Sequence, residues 1–158
     1  MELNERLLTV RFTKLLAELG PSADAKPGGM LVAEVTAGLF KVEKNQSQAV
    51  AQIRLQVKGI PSEVKDKKQF AFQVDLICQG VYEWPASNRQ PDLKDPRLNR
   101  RLCHPIYVMA AAEVAQIATR MGAGFVRMPM NMDGQEAEDA TARRVPRKVE
   151  SRKKLVKK

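Results

Sequence analysis

The sequence predicts an α+β fold: an antiparallel sheet packed with one long helix, followed by a disordered basic tail. Three observations predict it. Runs rich in branched and aromatic residues succeed one another through short connections. One apolar segment opens on proline and closes on glycine. The last stretch, residues 143–158, is strongly cationic. The chain has 158 residues, the size of one ordinary domain. Aromatics make up only 5%, so aliphatic side chains and seven Met must supply most of the core.

The opening stretch reads two ways. Leu8, Phe12, Leu15, Leu16 and Leu19 fit a helical face, whereas Leu8, Val10 and Phe12 alternate as in a strand. Gly20-Pro21 ends it, and residues 20–29 (GPSADAKPGG) form a loop by composition. Residues 30–43 read as a strand, with a bulge or bend at Gly38. Residues 49–60 alternate plainly, with Ile53, Leu55 and Val57 on one face and Arg54, Gln56 and Lys58 on the other. Pro61 stops that strand. In residues 69–84, Phe70, Phe72, Val74, Leu76 and Cys78 share one face, and Ala71, Gln73, Asp75, Ile77 and Gln79 the other. Short connections favour an antiparallel meander.

Residues 85–101 hold three Pro and few apolar groups, which predicts a surface loop. Pro105 then suits the first turn of a helix over 105–121, stopped by Gly122 and Gly124. Glu113, Gln116 and Arg120 form one narrow polar stripe on it, and the remaining circumference is apolar. Such a helix must be covered on more than one side. Either the N-terminal segment or the 85–101 loop covers the second side, or another copy of the chain does. The second copy is the simpler solution, and Tyr107, Ala111, Ala115 and Ala118 are its candidate contacts.

No run of 18 apolar residues is present and the first residues lack a signal-peptide core, so a cytoplasmic location is expected. Two Cys and one His make a structural zinc site unexpected. There is no phosphate-cradling loop, GxSxG or HExxH, and no cofactor is expected. Cys103 beside His104 is the one conceivable nucleophile–base pair, but a histidine at the helix entrance reads better as a structural cap. Asp133, Glu136, Glu138 and Asp139 read as a solvated hinge rather than a metal site.

The net charge of +9 is localised. Residues 143–158 carry nine basic groups and one acidic, while residues 1–142 carry 18 basic and 17 acidic. Like charges oppose compaction, so the tail is expected to be disordered. It either binds an acidic partner or nucleic acid, or only solubilises the chain. The Met-rich run Phe125, Val126, Met128, Met130 and Met132 either receives varied apolar partners or fills an irregular core edge.

The segment FAFQVDLICQGVYEWP, then a loop, then LCHPIYVMAAAEVAQIATRMGAGFVRMPMNMD resembles the SecB chaperone family. Gly80, Val81 and Tyr82 match a strand that ends in Gly and an apolar–aromatic pair. His104-Pro105 stands where the family opens its main helix with Cys-Pro. Phe125, Pro129, Asn131, Met132 and Asp133 match an aromatic followed by a Pro-x-Asn-hydrophobic-Asp turn. The resemblance covers residues 30–133. It implies a four-stranded antiparallel sheet with the main helix packed on it, the first strand near residues 8–19, and a dimer or tetramer. It also implies ATP-independent holding of unfolded polypeptide in apolar grooves. The implied domain is 1–133, with 134–158 a charged tail.

Three departures bear on the partner. SecB proper is acidic and docks the motor SecA, whereas here the body is neutral and the tail basic. Residues 134–149 are too polar for the family's second helix, and Cys-Pro has become His-Pro. These move the expectation from an export chaperone towards one dedicated to an antitoxin. The expected client-binding residues are Leu31, Val35, Phe40, Met121, Phe125, Met128, Met130 and Met132. Asp75, Arg143, Arg144, Arg147 and Lys148 are the expected partner-binding residues.

Overall fold

A computed structural model of the chain describes residues 5–25, 28–42, 46–66, 68–85, 91–123, 126–129 and 132. Four strands, β1 (Arg6–Leu19), β2 (Gly29–Lys41), β3 (Gln48–Pro61) and β4 (Phe72–Glu83), precede one helix, α1 (Pro96–Arg120). The strands form one antiparallel sheet in the order β1-β4-β3-β2, so β3 and β4 are central. The tail from Asp133 onward lies outside the described residues, as do Phe125, Met130, Arg143, Arg144, Arg147 and Lys148.

The alternation read from β3 and β4 carries through to packing. Ile53, Leu55 and Val57 pair with Cys78, Leu76 and Val74, and all six are fully buried beneath α1. The helix lies chiefly on β3 and β4, with a smaller contact to β2. Gly80 permits this approach, since a Cβ there would fall 2.3 Å from a terminal carbon of Ile106. One helical turn away, Tyr82 donates a 2.8 Å hydrogen bond to the Leu102 carbonyl. Burial pushes the Tyr82 hydroxyl up to about 12, so it stays a donor at any physiological pH.

β1 is a strand, and its double reading has a structural cause. Bulges fall between Leu7 and Thr9 and between Phe12 and Lys14. Each inserts one residue, so the residues facing the helix side are Leu7, Val10, Phe12, Leu15, Ala17 and Leu19. Steps of three among steps of two imitate helical spacing.

Two expectations are corrected. Residues 85–101 are not all loop, because α1 begins at Pro96, nine residues before Pro105. Asp95 is the N-cap, its side chain accepting from the Arg97 N–H at 2.9 Å, and Pro96 supplies the first-turn proline. His104 is therefore no cap but an exposed residue inside the helix, beside the internal Pro105. At the far end Met121 caps the helix and Gly122 turns the chain with a φ of 85°. The second correction concerns Gly38. Pairing with Gln52 continues unbroken through it, so there is no bulge. Its missing side chain instead makes room for the Phe40 ring, which a Cβ would meet at 3.2 Å.

Candidate functional site

Among the described residues, a concavity lies where the C-terminal end of α1 meets the sheet. It is a cavity of about 310 Å³. Leu19 closes one side from the end of β1, and Met30 and Leu31 come from the start of β2. Phe72 forms the floor on β4, and Met121 and Val126 cover it after the helix. Ala23 and Ala25, from the loop after β1, and Gly28 and Gly29 keep the mouth wide. Gly29 has a local reason to be glycine: its φ is 154°, and a Cβ would lie 2.1 Å from the Ile60 carbonyl oxygen. Most lining side chains are apolar, but Arg127 and backbone polar groups share the wall, so the site can take apolar groups of a ligand together with hydrogen-bonding backbone.

Of the residues expected to bind a client, Leu31 and Met121 line this cavity. Val35, Met128 and Met132 are partly buried hydrophobics packed on the same core, away from the cavity wall. Phe40 stands apart. It pairs with Val50, out of phase with the buried Ala49 and Ala51, so it projects 52% exposed from the opposite face of the sheet. Val126, named in the Met-rich run, also lines the site, as do Leu19, Met30 and Phe72, which were not singled out as binders. Each reads in sequence as part of a strand or as core, and only the convergence of four separate segments makes them a wall.

Three of the four residues expected to join copies of the chain lie buried within the single chain. Tyr107 is 1% exposed, and Ala111 and Ala118 are equally enclosed, because this face of α1 lies on the chain's own sheet. Ala115 is half-buried at the helix rim. The outward face instead carries Val108 at 50% exposure, Met109 at 44%, and Ala112. Beside the sheet, Leu7, Phe12, Leu15 and Leu19 of β1 are also exposed.

Asp75, expected to bind a partner, is engaged within the chain. It sits on the face away from α1 but is only 4% exposed. Arg54 grips its carboxylate with two hydrogen bonds of 3.1 and 2.9 Å, and Lys14 donates a third. Hydrogen bonding by Arg54 is the main reason its pKa falls to about 2, against the opposing effect of burial. This carboxylate joins β1, β3 and β4 and is already neutralised within the chain. Because the folded pKa lies below the unfolded one, the contribution to stability is complete above about pH 4 and is lost as pH falls towards 2. Asp75→Asn should therefore be less stable than the parent at pH 7 in urea denaturation, and the difference should shrink steadily on acidification below pH 4.

Cys103 and His104 do not form a reactive pair. The Cys103 thiol is buried, lies 3.8 Å from the Gly38 carbonyl and is pushed up to about 11 by burial, while His104 faces outwards. Among the described residues no group of three or more His, Cys, Asp or Glu side chains is placed to hold a metal ion. Nor is any helix among them long and apolar enough to cross a membrane.

No protein-family model matches the sequence, and no curated protein matches it. Comparison with solved structures is informative. The chain resembles the Mycobacterium tuberculosis Rv1957 SecB-like chaperone, solved in complex with a ChAD peptide from the Rv1956 HigA1 antitoxin. The TM-score is 0.63 at 9% sequence identity, covering 79% of this chain and 89% of that one. A protein of unknown function from Streptococcus agalactiae also matches, with a TM-score of 0.48 and 7% identity over 82% of this chain and 99% of that one. The fold of this chain is SecB-like, a four-stranded antiparallel sheet packed against one helix.

Proposed function

We propose that the chain is an ATP-independent holdase that binds extended apolar segments of non-native polypeptide. The observation that carries this reading is the cavity between β1, β2 and the end of α1, lined mostly by apolar side chains with Arg127 among them, on a fold shared with a chaperone solved with a peptide bound. Apolar area on both partners leaves water on binding, at about 25 cal/mol per Å² before ordering costs are subtracted. Flexible Met side chains around the site favour breadth of recognition. The test is suppression of aggregation of a chemically unfolded substrate in the absence of nucleotide. Full aggregation at severalfold molar excess of the chain, with a model substrate and with an antitoxin-derived peptide, would sink the proposal.

The client class follows from charge. Asp75, the acidic group expected to face a partner, is consumed internally by Arg54 and Lys14. This weakens the case for docking to SecA and favours a dedicated client, of the antitoxin type that the Mycobacterium chaperone carries. The working form is a homo-oligomer in the cytoplasm. Val108, Met109 and Ala112 on α1, with the uncovered side chains of β1, supply the contact.

A second reading rests on residues 143–158 and their net charge of +8. Binding of RNA or DNA through this tail predicts a steep loss of affinity with salt. Truncation after Ala142 should leave folding, assembly and holdase activity unchanged and remove only salt-sensitive binding. A truncated chain that unfolds or dissociates would make the tail a structural element instead.

A further inference from the structure

We infer that Val126–Pro129 is a built-in occupant of the apolar groove, latched by Tyr107, and that a client segment binds by displacing it. The inference rests on the holdase reading above and adds to it a closed state and a client pattern. Its starting point is a buried hydroxyl: Tyr107, on the inner face of α1, donates a 2.6 Å hydrogen bond to the Pro129 carbonyl. The route between the two residues is constrained. Gly122 reverses the chain after the helix, and the Ala123 N–H returns to the Ala118 carbonyl at 3.0 Å. From Met121 back to Tyr107 is roughly 21 Å along a helix rising about 1.5 Å per residue. Val126 lines the cavity at the end of α1 and Pro129 reaches Tyr107, so the described part of the segment, Val126–Pro129, heads back along α1.

The flank it follows is the one beside β2. Cys103 lies one helical turn before Tyr107 and rests against Gly38 of β2. There β2 turns Leu31, Ala33, Val35 and Leu39 towards the helix side, partly buried against the core. The segment itself alternates as a strand does, with Val126 and Met128 packed on the core and Arg127 exposed. It begins at the rim of the cavity, which Val126 and Arg127 both line. The cavity is thus the open end of a longer groove whose remainder is filled from within. A client that replaces the segment must repeat its pattern: an extended peptide with apolar side chains at alternate positions.

Tyr107→Phe removes the latch and keeps the ring that packs on the sheet. The probe is a fluorescein-labelled synthetic peptide copying residues 125–132, FVRMPMNM. The variant should bind it about fivefold more tightly than the parent, the factor expected for one lost hydrogen bond that holds the closed state. Amide hydrogen exchange at Val126–Met128 should quicken in the variant, and in the unaltered chain on adding the peptide. Equal or weaker binding by a variant with unchanged circular dichroism would overturn the latch while leaving the holdase reading in place. Unchanged exchange at these amides when peptide binds the unaltered chain would overturn it independently of how the variant folds. Failure of both proteins to bind the peptide or to suppress aggregation would remove the holdase reading and the latch together.

Discussion

Leu31→Asp is expected to cost most of the chain's capacity to hold an unfolded client. Leu31 lines the cavity from the first part of β2 and is only partly buried, so part of its surface is available to a bound segment. Covering a leucine side chain on binding contributes about 1.5–3 kcal/mol. Replacing it with a carboxylate removes that contribution and forces either desolvation of a charge or retention of water in the site. The expected loss in affinity for an apolar peptide is about tenfold to a hundredfold, measured by fluorescence anisotropy. Folding should be largely preserved, because Leu31 pairs with Gly59 at the edge of the sheet rather than beneath the centre of α1. The control is Phe40→Asp. Phe40 lies on the opposite face, so that substitution should leave affinity close to the parent value. Equal losses in the two variants would place the binding surface elsewhere.

Met109→Arg is expected to break the proposed homo-oligomer. The outward face of α1 presents Val108, Met109 and Ala112 with no partner among the described residues of the same chain. We propose this exposed apolar face as the contact with a second copy. If two copies meet there, an arginine at position 109 is buried without a counter-charge, at a cost of about 3 kcal/mol or more. That is roughly a hundredfold in the association constant. Light scattering should show the parent as a multiple of 17.7 kDa and the variant shifted towards a single chain. Ala111→Arg behaves differently in this account. Ala111 faces the chain's own sheet, so a charge there should unfold the protein rather than dissociate it. A parent chain of single-copy mass at micromolar concentration would refute the assembly outright.

These two predictions depend on distinctions that differ in how far they were legible beforehand. Strict period-two alternation in β3 and β4 placed Ile53, Leu55, Val57, Val74 and Leu76 in the core correctly, since burial on one face of a sheet leaves a direct trace in the order of residues. The helix start was misread because two prolines, Pro96 and Pro105, each fit a first turn. What distinguishes them is Asp95, whose carboxylate caps the Arg97 N–H, together with Leu98 and Leu102, which continue the buried stripe.

By itself the sequence determined the class of fold, the two central strands, the C-terminal end of the helix at Gly122 and the concentration of cations after Ala142. Each of these is local: periodicity, a turn residue or a charge count states it within a few neighbours. Only the tertiary structure decided which side of α1 faces its own sheet, that Asp75 is enclosed by Lys14 and Arg54, and that Leu31 and Phe40 lie on opposite faces. It also decided that Pro129 returns to Tyr107. The reason is that these facts rest on the register between distant strands and on the angle at which the helix crosses them. A one-residue slip in register moves every side chain of a strand to the other face, and two bulges in β1 make such slips there invisible to a count of apolar spacing.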